Sequence, residues 1–315
     1  MLKNFQSGKP VFIIADRANQ LGNRLFLFAH FIACTVENDF ILINPCFEEY
    51  ACFFKTTSID LFCRYPPQKS IVQVNITSRI YFSRFVSKLA RYFSDGKLKI
   101  FTPQKKWAFI KSGYESTLDN SNIEIEVSEF YLDDKNFLLS ISRNQIIFCQ
   151  GPLFRDFSSF SKHSSEIRSY FQPLDIYQVN INKLITNVRK QCDLVVGVHI
   201  RWGDYRTFLE GRYFYTIEEY LTVMDRVKNL FSNQKVGFLI ASNVKQEDNN
   251  FKNHIHFFAN DHIIEDMYSL AQCDYIIGPP STYSLWASFY GKVPLYTIKC
   301  PSQNITIDDF QINNG

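Results

Sequence analysis

The chain has 315 residues, 46% of them apolar and 21% charged, a composition typical of globular proteins and a length that favours two domains. The net charge of +3 argues against the strongly basic surface of nucleic-acid-binding proteins. No apolar run approaches the roughly 20 residues of a membrane-spanning helix, so we expect a cytoplasmic protein without a transmembrane segment. The cysteines include no C-x-x-C pair, which argues against zinc and favours buried free thiols.

The N-terminal half begins with the strand–helix–strand pattern of a parallel sheet. Residues 10–15 are an apolar, β-branched run that predicts a buried strand, and residues 40–44 predict a second one. Between them, residues 25–36 are apolar almost all round, as in a buried helix. A polar turn over residues 16–24 precedes that helix. Residues 145–149 predict a further buried strand.

Residues 80–93 predict an amphipathic helix that carries Arg84, Lys88 and Arg91. A basic face of this kind has more than one interpretation. It is most often a solvated helix surface, and it can also bind a membrane surface or an acidic acceptor. The sequence therefore leaves a peripheral membrane contact open.

The C-terminal half alternates regularly between strands and helices from about residue 185. The predicted strands are residues 194–200, 236–241, 254–258, 275–278 and 293–298, and the predicted helices are residues 216–231, 262–271 and 281–290. The first of these helices opens with a capping box, Thr216 followed by Glu219. We predict a doubly wound α/β domain over residues 176–315, after a first α/β domain over residues 1–175. Such sheets bind ligands at the carboxyl ends of their strands.

One polar cluster follows the predicted strand 194–200. Arg201 offers a planar fork of donors that matches phosphate oxygens, and Gly203 allows a tight turn that aims backbone N–H groups at an anion. Strand alternation places His199 on the same face as Arg201. The alternative interpretation is an ion pair between Arg201 and Asp204 that only holds the loop in place.

Two further clusters also lie where a predicted strand meets a helix. Two prolines end the strand 275–278, and Ser281 and Thr282 then open a helix whose first-turn amides favour a phosphate. A plain N-cap is the alternative interpretation there. The other cluster, with Gly22 and Asn23, follows the first strand. A glycine with an asparagine is common in loops, so this cluster alone does not indicate a site.

Several nucleotide and catalytic motifs are absent from the sequence. It contains no G-x-x-x-x-G-K-[ST], no G-x-G-x-x-G after the first strand, no G-x-S-x-G and no H-E-x-x-H. A D-x-D motif, which holds a sugar nucleotide through a divalent ion in many glycosyltransferases, is absent too. A diphosphate would therefore be neutralised by side chains and helix ends, and we expect no metal site.

Taken in their order along the chain, the three clusters resemble segments of the alpha-1,2-fucosyltransferases of glycosyltransferase family 11. Residues 20–26 (Gln-Leu-Gly-Asn-Arg-Leu-Phe) are similar to the family's Gly-Leu-Gly-Asn-Gln-Leu-Phe segment. Residues 199–205 (His-Ile-Arg-Trp-Gly-Asp-Tyr) are similar to its His-Val-Arg-Arg-Gly-Asp-Tyr segment. Asp-Met-Tyr at residues 266–268, Cys-Asp at 273–274 and Ser-Thr-Tyr-Ser-Leu-Trp-Ala at 281–287 follow in the family's order. Trp202 and Arg24 depart from the family, which has arginine and glutamine there.

The resemblance implies a GT-B-type fold of two Rossmann-like α/β domains that face a cleft. The C-terminal domain would bind the nucleotide-sugar donor, GDP-fucose, and the N-terminal domain much of a glycan acceptor. Fucose would be transferred with inversion to a glycan hydroxyl, in an alpha-1,2 linkage to galactose, without a metal or another cofactor. Two alternatives stay open: another donor such as GDP-mannose or a UDP-sugar, and a binding protein of the same fold without turnover.

Roles for individual residues follow from this chemistry. Arg201 would stabilise the charge that develops on the β-phosphate, assisted by Asn23, and Asp204 would orient Arg201 rather than act as a base. Trp202 and Tyr205 would contact the acceptor. The expected donor-binding residues are His199, Gly22, Ser242, Asn243, Asp266, Ser281, Thr282 and Tyr283, with Asp266 at the guanine edge. A histidine phosphatase would need an Arg-His-Gly run, whereas His199 precedes the arginine by two positions.

Overall fold

The protein is described by a computed structural model that covers residues 8–17, 19–71, 74–94, 107–119 and 122–315. These residues divide into two compact units. The first unit runs to Gln172 and includes Gly315, and the second unit comprises Pro173–Asn314. The assignment of an acceptor side and a donor side to these two parts of the chain stays a prediction.

The first unit is built on a five-stranded sheet in the order β3-β2-β1-β8-β4, in which only β3 is antiparallel to its neighbour. Its strands are β1 Val11–Ile14, β2 Ile41–Ile43, β3 Arg64–Tyr65, β4 Trp107–Lys111, β5 Gly113–Asp119, β6 Asn122–Ser128, β7 Phe130–Tyr131, β8 Ile146–Gln150 and β9 Phe154–Arg155. Its helices are α1 Leu21–Asn38, α2 Lys55–Ser58, α3 Ile76–Ser94, α4 Lys135–Ser140, α5 Phe157–Lys162 and α6 Ser164–Tyr170. Strands β5 and β6 form an antiparallel pair, and β7 pairs with β9.

Helix α1 begins at Leu21, so the predicted polar turn is shorter than the sequence suggested. Leu21, Leu25 and Phe28 follow one another at helical spacing and are all buried, which brings the preceding residues into the helix. Gly22 therefore lies inside α1 and not in a turn. Much of the aromatic content lies in the core: among the described residues of this unit, eight phenylalanines are 0% exposed, namely Phe12, Phe28, Phe31, Phe47, Phe54, Phe154, Phe160 and Phe171.

The second unit contains an all-parallel sheet in the order β12-β11-β10-β13-β14. Its strands are β10 Leu194–Ile200, β11 Val236–Ser242, β12 Ile255–Phe258, β13 Tyr275–Gly278 and β14 Leu295–Thr297. Its helices are α7 Asp175–Arg189, α8 Ile217–Leu230, α9 Ile263–Leu270 and α10 Thr282–Gly291. The five strands and three helices predicted above are present, and α7 is the helix that the sequence analysis missed. The polar stretch after β11 was also expected to be helical, and it forms only a short 3₁₀ helix, Asp248–Phe251.

The strand order of the second sheet reverses beside β10. The chain moves outwards from β10 to β11 and β12, and then returns to place β13 on the other side of β10. In doubly wound sheets, ligands bind in the crevice that opens at such a reversal, outside the carboxyl ends of the strands. The gap between the ends of β10 and β13 is therefore the first place to look for a site.

The structure shows no disulfide bond among the described cysteines. The cysteines are free thiols, six of them buried, whereas Cys52 and Cys300 are exposed. Across the residues that the structure covers, no helix combines the length and the apolar character needed to cross a bilayer.

Candidate functional site

Three loops meet at the carboxyl edge of the second sheet. Strand β10 ends at Ile200, β11 at Ser242 and β13 at Gly278. Because β10 lies between β11 and β13, the segments that follow these strands are neighbours. The residues predicted from three separate stretches of sequence are thus brought to one edge of the sheet.

Arg201 is held by the loop that it begins. Its Nε and Nη2 donate hydrogen bonds to the two carboxylate oxygens of Asp204, at 3.1 and 2.7 Å. Its guanidinium carbon lies 5.1 Å from the ring centroid of Tyr205. Gly203 has a φ of +52°, the left-handed conformation that returns the chain so that Asp204 meets Arg201. The predicted tight turn at Gly203 is present, and so is the predicted ion pair.

Asp204 has the properties of a positioning residue. The hydrogen bond from Arg201 lowers the pKa of the Asp204 carboxyl. A carboxylate with a lowered pKa is a weak base but a good anchor for a cation. These two hydrogen bonds to one carboxylate fix the plane of the Arg201 guanidinium.

Asn243 fastens the loop after β11 to the loop after β10. Its Oδ1 accepts a hydrogen bond from the backbone N–H of Trp202 at 2.8 Å. The neighbouring Ser242 accepts a hydrogen bond from Gln246 Nε2 at 3.1 Å. Ser242 and Asn243, two of the predicted donor-binding residues, therefore lie at the same edge of the sheet as Arg201, and Asn243 supports the loop that carries it.

His199 is a buried, neutral histidine beneath the loop. Burial, with a smaller effect of the Arg201 charge, lowers the pKa of His199 to about 3. Its ring centroid lies 5.0 Å from that of Tyr283, and among the described residues its Nδ1 has no hydrogen-bond partner. The end of β13 approaches closely here, because a Cβ on Gly278 would lie 2.9 Å from the Cβ of His199. Only glycine fits at that position without a shift.

Helix α10 begins beside this histidine. Ser281 is its N-cap, and the Ser281 hydroxyl accepts a hydrogen bond from the backbone N–H of Tyr283 at 3.3 Å. Thr282 is the first helical residue, and the Tyr283 hydroxyl donates to the carbonyl of Ile263 at 2.8 Å. The plain N-cap interpretation is thus correct for Ser281, while the positive end of the helix dipole still points towards this edge.

The two predicted acceptor contacts, Trp202 and Tyr205, have other contacts. Trp202 Nε1 donates to the carbonyl of Tyr215 at 2.7 Å, and the ring packs against the core of the second unit. Tyr205 is only 7% exposed, and its hydroxyl donates to the carbonyl of Pro280 at 2.6 Å. Tyr205 therefore joins the Arg201 loop to the start of α10 instead of presenting a surface.

An exposed aromatic residue that the sequence analysis missed lies next to Tyr205. The ring of Phe208 stacks on that of Tyr205 at a centroid distance of 5.4 Å, and Phe208 remains 49% exposed. It is connected to Arg201 through Tyr205, whose ring contacts both. The sequence feature that could have indicated Phe208 is an aromatic residue a few positions beyond the 199–205 motif, in a loop without a regular hydrophobic pattern.

Asp266 is a buried carboxyl at the start of α9. Burial raises the pKa of Asp266 to about 7, and its Oδ1 accepts a hydrogen bond from the backbone N–H of His262 at 3.3 Å. It is 6% exposed and holds the loop that follows β12. Its predicted contact with a guanine edge stays a prediction beside this structural role.

Gly22 and Asn23 belong to the first unit, where they are the second and third residues of α1. The neighbouring Arg24, which departs from the family's glutamine, contacts other residues of the first unit. Its Nη2 is 3.0 Å from Glu49, and its Nε donates to the carbonyl of Asn19. Within the described ranges, no three His, Cys, Asp or Glu side chains form a group that could hold a metal ion.

The strand reversal of this doubly wound sheet brings together an arginine, a helix N-terminus and buried polar side chains. The second unit is therefore an α/β domain with a candidate site for an anionic ligand. Residues 149–311, just over half of the chain, match the model of a family described as glycosyl transferase family 11, and the chain belongs to this family. The resemblance found in the sequence motifs is thereby confirmed. No curated protein sequence matches the chain.

Solved fucosyltransferase structures share the fold. A mutant of FUT1 from Arabidopsis thaliana in complex with GDP is 12% identical, with a TM-score of 0.52 over 96% of this chain and 74% of that chain. Fucosyltransferase NodZ from Bradyrhizobium is 13% identical, with a TM-score of 0.50 over 94% and 97% of the two chains. The apo form of POFUT1 is 12% identical, with a TM-score of 0.50 over 91% and 97%. The predicted α/β fold of the GT-B type is confirmed.

Proposed function

We propose that this glycosyltransferase moves fucose from GDP-fucose to a hydroxyl group of a glycan. The observation that carries the proposal is the Arg201 loop at the strand reversal between β10 and β13, held by Asp204 and Tyr205. Membership of family 11 and the fold shared with fucosyltransferases support the choice of donor.

The charge on the leaving group explains why an arginine is needed. When the bond from fucose to the β-phosphate breaks, negative charge grows on GDP and positive character grows on the sugar ring. A guanidinium that is already oriented stabilises that charge without reorganisation, which is usually the largest single term in catalysis. Arg201 is the proposed catalytic residue, Asp204 its positioning residue, and the N-terminus of α10 at Ser281 and Thr282 an additional source of positive potential.

The finer points of the proposal rest on the resemblance to family 11. The product is an alpha-1,2-linked fucoside of galactose, formed with inversion at the anomeric carbon. The diphosphate is neutralised by Arg201 and the helix end instead of a divalent ion, in line with the absence of a D-x-D motif. Asn23 is proposed to assist Arg201, and Phe208 replaces Trp202 and Tyr205 as the proposed acceptor contact because its ring is exposed.

Thermal unfolding with nucleotides tests the donor site. A ligand that binds only the folded protein raises the unfolding midpoint by mass action. GDP and GDP-fucose should raise it for the wild type, and the shift should vanish in Arg201→Ala. Arg206→Ala is the matched control, because it removes the same charge from an exposed position of the same loop and should keep the shift. A larger shift with GDP-mannose or UDP would contradict the proposed donor.

Transfer assays then separate an enzyme from a binding protein. The wild type should release GDP from GDP-fucose in the presence of a galactoside acceptor, with unchanged activity in EDTA. Arg201→Ala should lower kcat on the order of a hundredfold, as the loss of a comparable donor does elsewhere. Binding of GDP-fucose without any release of GDP over a panel of galactosides would favour a binding protein of the same fold.

A further inference from the structure

Helix α3 carries large side chains on the face that points away from its own unit. Its inward face is made of small or buried residues: Ser83, Ser87 and Ala90 are almost completely buried, and Val86 and Ala90 pack into a core cluster with residues of β8. The outward face carries Tyr81, Phe85 and Tyr92, which are 69%, 61% and 79% exposed. Phe82 and Leu89 of α3 also pack against that cluster, so the exposed rings are additional to an apolar face that already covers the core.

The three exposed aromatic residues form one stripe. With 3.6 residues per turn, Tyr81, Phe85 and Tyr92 lie within about 40° of one another around the helix axis. A second stripe runs along one side of the first and consists of basic residues: Arg84, Lys88 and Arg91 fall within about 60° of one another. All three basic residues are exposed. We call the six residues the α3 face.

The charge of this surface has a single sign. Helix α3 contains no aspartate or glutamate from Ile76 to Ser94. Basic side chains beside exposed aromatic rings are the composition of helices that lie in the interface of an anionic bilayer, where the rings enter the headgroup region and the cations meet the lipid phosphates.

We infer that the α3 face binds the surface of a membrane that contains anionic phospholipid. A second copy of the chain is a poor occupant, because pairing two α3 faces would bring like charges together. A soluble polyanion would use the cations but would leave the aromatic stripe in water. The inference is independent of the proposed donor, since it rests on contacts within the first unit alone.

Vesicle binding tests the inference. The wild type should sediment with vesicles of phosphatidylcholine mixed with phosphatidylglycerol, less so in high salt, and hardly at all with phosphatidylcholine alone. Arg84→Gln with Lys88→Gln should weaken binding about twenty-five-fold, since each basic residue near an anionic surface contributes about fivefold. Tyr81→Gln with Phe85→Gln should weaken it by about tenfold or more, even though the charge is unchanged.

Matched controls keep the result interpretable. Lys228→Gln with Lys235→Gln removes the same charge from exposed positions of the second unit and should leave vesicle binding unchanged. Circular dichroism and the unfolding midpoint should match the wild type in every variant, because the changed side chains are exposed. Equal binding by wild type and both α3 variants would overturn the inference. So would a dimer that dissociates in those variants, since a second copy would then cover this face.

Discussion

At the scale of single residues, His199 links the candidate site to pH. Its pKa is about 3 in the folded protein, below the ordinary value of 6.5. Between these values the unfolded chain binds a proton at this residue and the folded chain does not. The free energy of unfolding therefore falls as the pH drops from 6.5 towards 3, by about 1.4 kcal/mol per pH unit for one such group.

Replacing the histidine tests this linkage. His199→Gln keeps a polar side chain of similar size but cannot be protonated, so the pH dependence of stability between pH 6 and 4.5 should become shallower by about that slope. Chemical unfolding at several pH values measures it. Burial also lowers the pKa of His30, in the first unit, to about 3. The substitution His30→Gln should therefore reduce the pH dependence of that unit's stability by a comparable amount. A slope identical to that of the wild type would mean that His199 is not neutral in the folded protein.

Residue-level predictions succeeded where backbone and charge act locally. Gly203 predicted a tight turn, and an ion pair between Arg201 and Asp204 was the alternative interpretation of the same motif; both are present. The acceptor contacts were harder, because a sequence does not show which face of a loop residue becomes core. Trp202 is aromatic and close to the motif, yet its indole N–H is bonded to the carbonyl of Tyr215 and its ring is packed.

At the scale of secondary structure elements, α8 shows how a short motif fixes a helix end. Thr216 Oγ1 accepts from the backbone N–H of Glu219 at 3.3 Å, and the Glu219 carboxylate accepts from the backbone N–H of Thr216 at 2.7 Å. Thr216→Ala should destabilise the second unit by about 1 kcal/mol, the usual cost of a lost cap. Denaturant unfolding of the variant measures this cost.

A second threonine in the same helix provides the control. Thr222 is exposed within α8, and Thr222→Ala makes the same chemical change away from the helix end. It should change the free energy of unfolding by only a few tenths of a kcal/mol, since alanine is the better helix former. If both variants lose equal stability, the capping box is not what stabilises this helix end.

Strands and helices with a long, regular hydrophobic pattern were predicted best. The parallel strands of the second unit are continuous apolar runs, and β10 and β13 have the predicted bounds. The first unit was less predictable because its strands β3, β7 and β9 contain two residues each, too few to show a period. Helix α7 was missed because its buried face consists only of Ile181, Ile185 and Val188 among polar residues.

At the scale of the whole molecule, the proposed donor site makes a prediction about both units. The Arg201 loop and α10 belong to the second unit, whereas Asn23 belongs to the first. The proposal takes Arg201 from one motif and Asn23 from another, and each motif resembles a segment of the same family. Ligand-induced protection from hydrogen exchange is a direct measure, because amides that a bound ligand orders exchange more slowly.

Hydrogen exchange with and without GDP should therefore show protection in two places. Backbone amides of residues 199–205 and 281–284 should be slowed in the second unit, together with those of residues 21–24 at the start of α1. UDP at the same concentration, and GDP with Arg201→Ala, should give little protection and serve as controls. Protection confined to the second unit would keep the donor site but remove Asn23 from it. Protection of residues 21–24 alone would contradict the central role of Arg201, because the anion would then bind without the guanidinium that the second sheet presents.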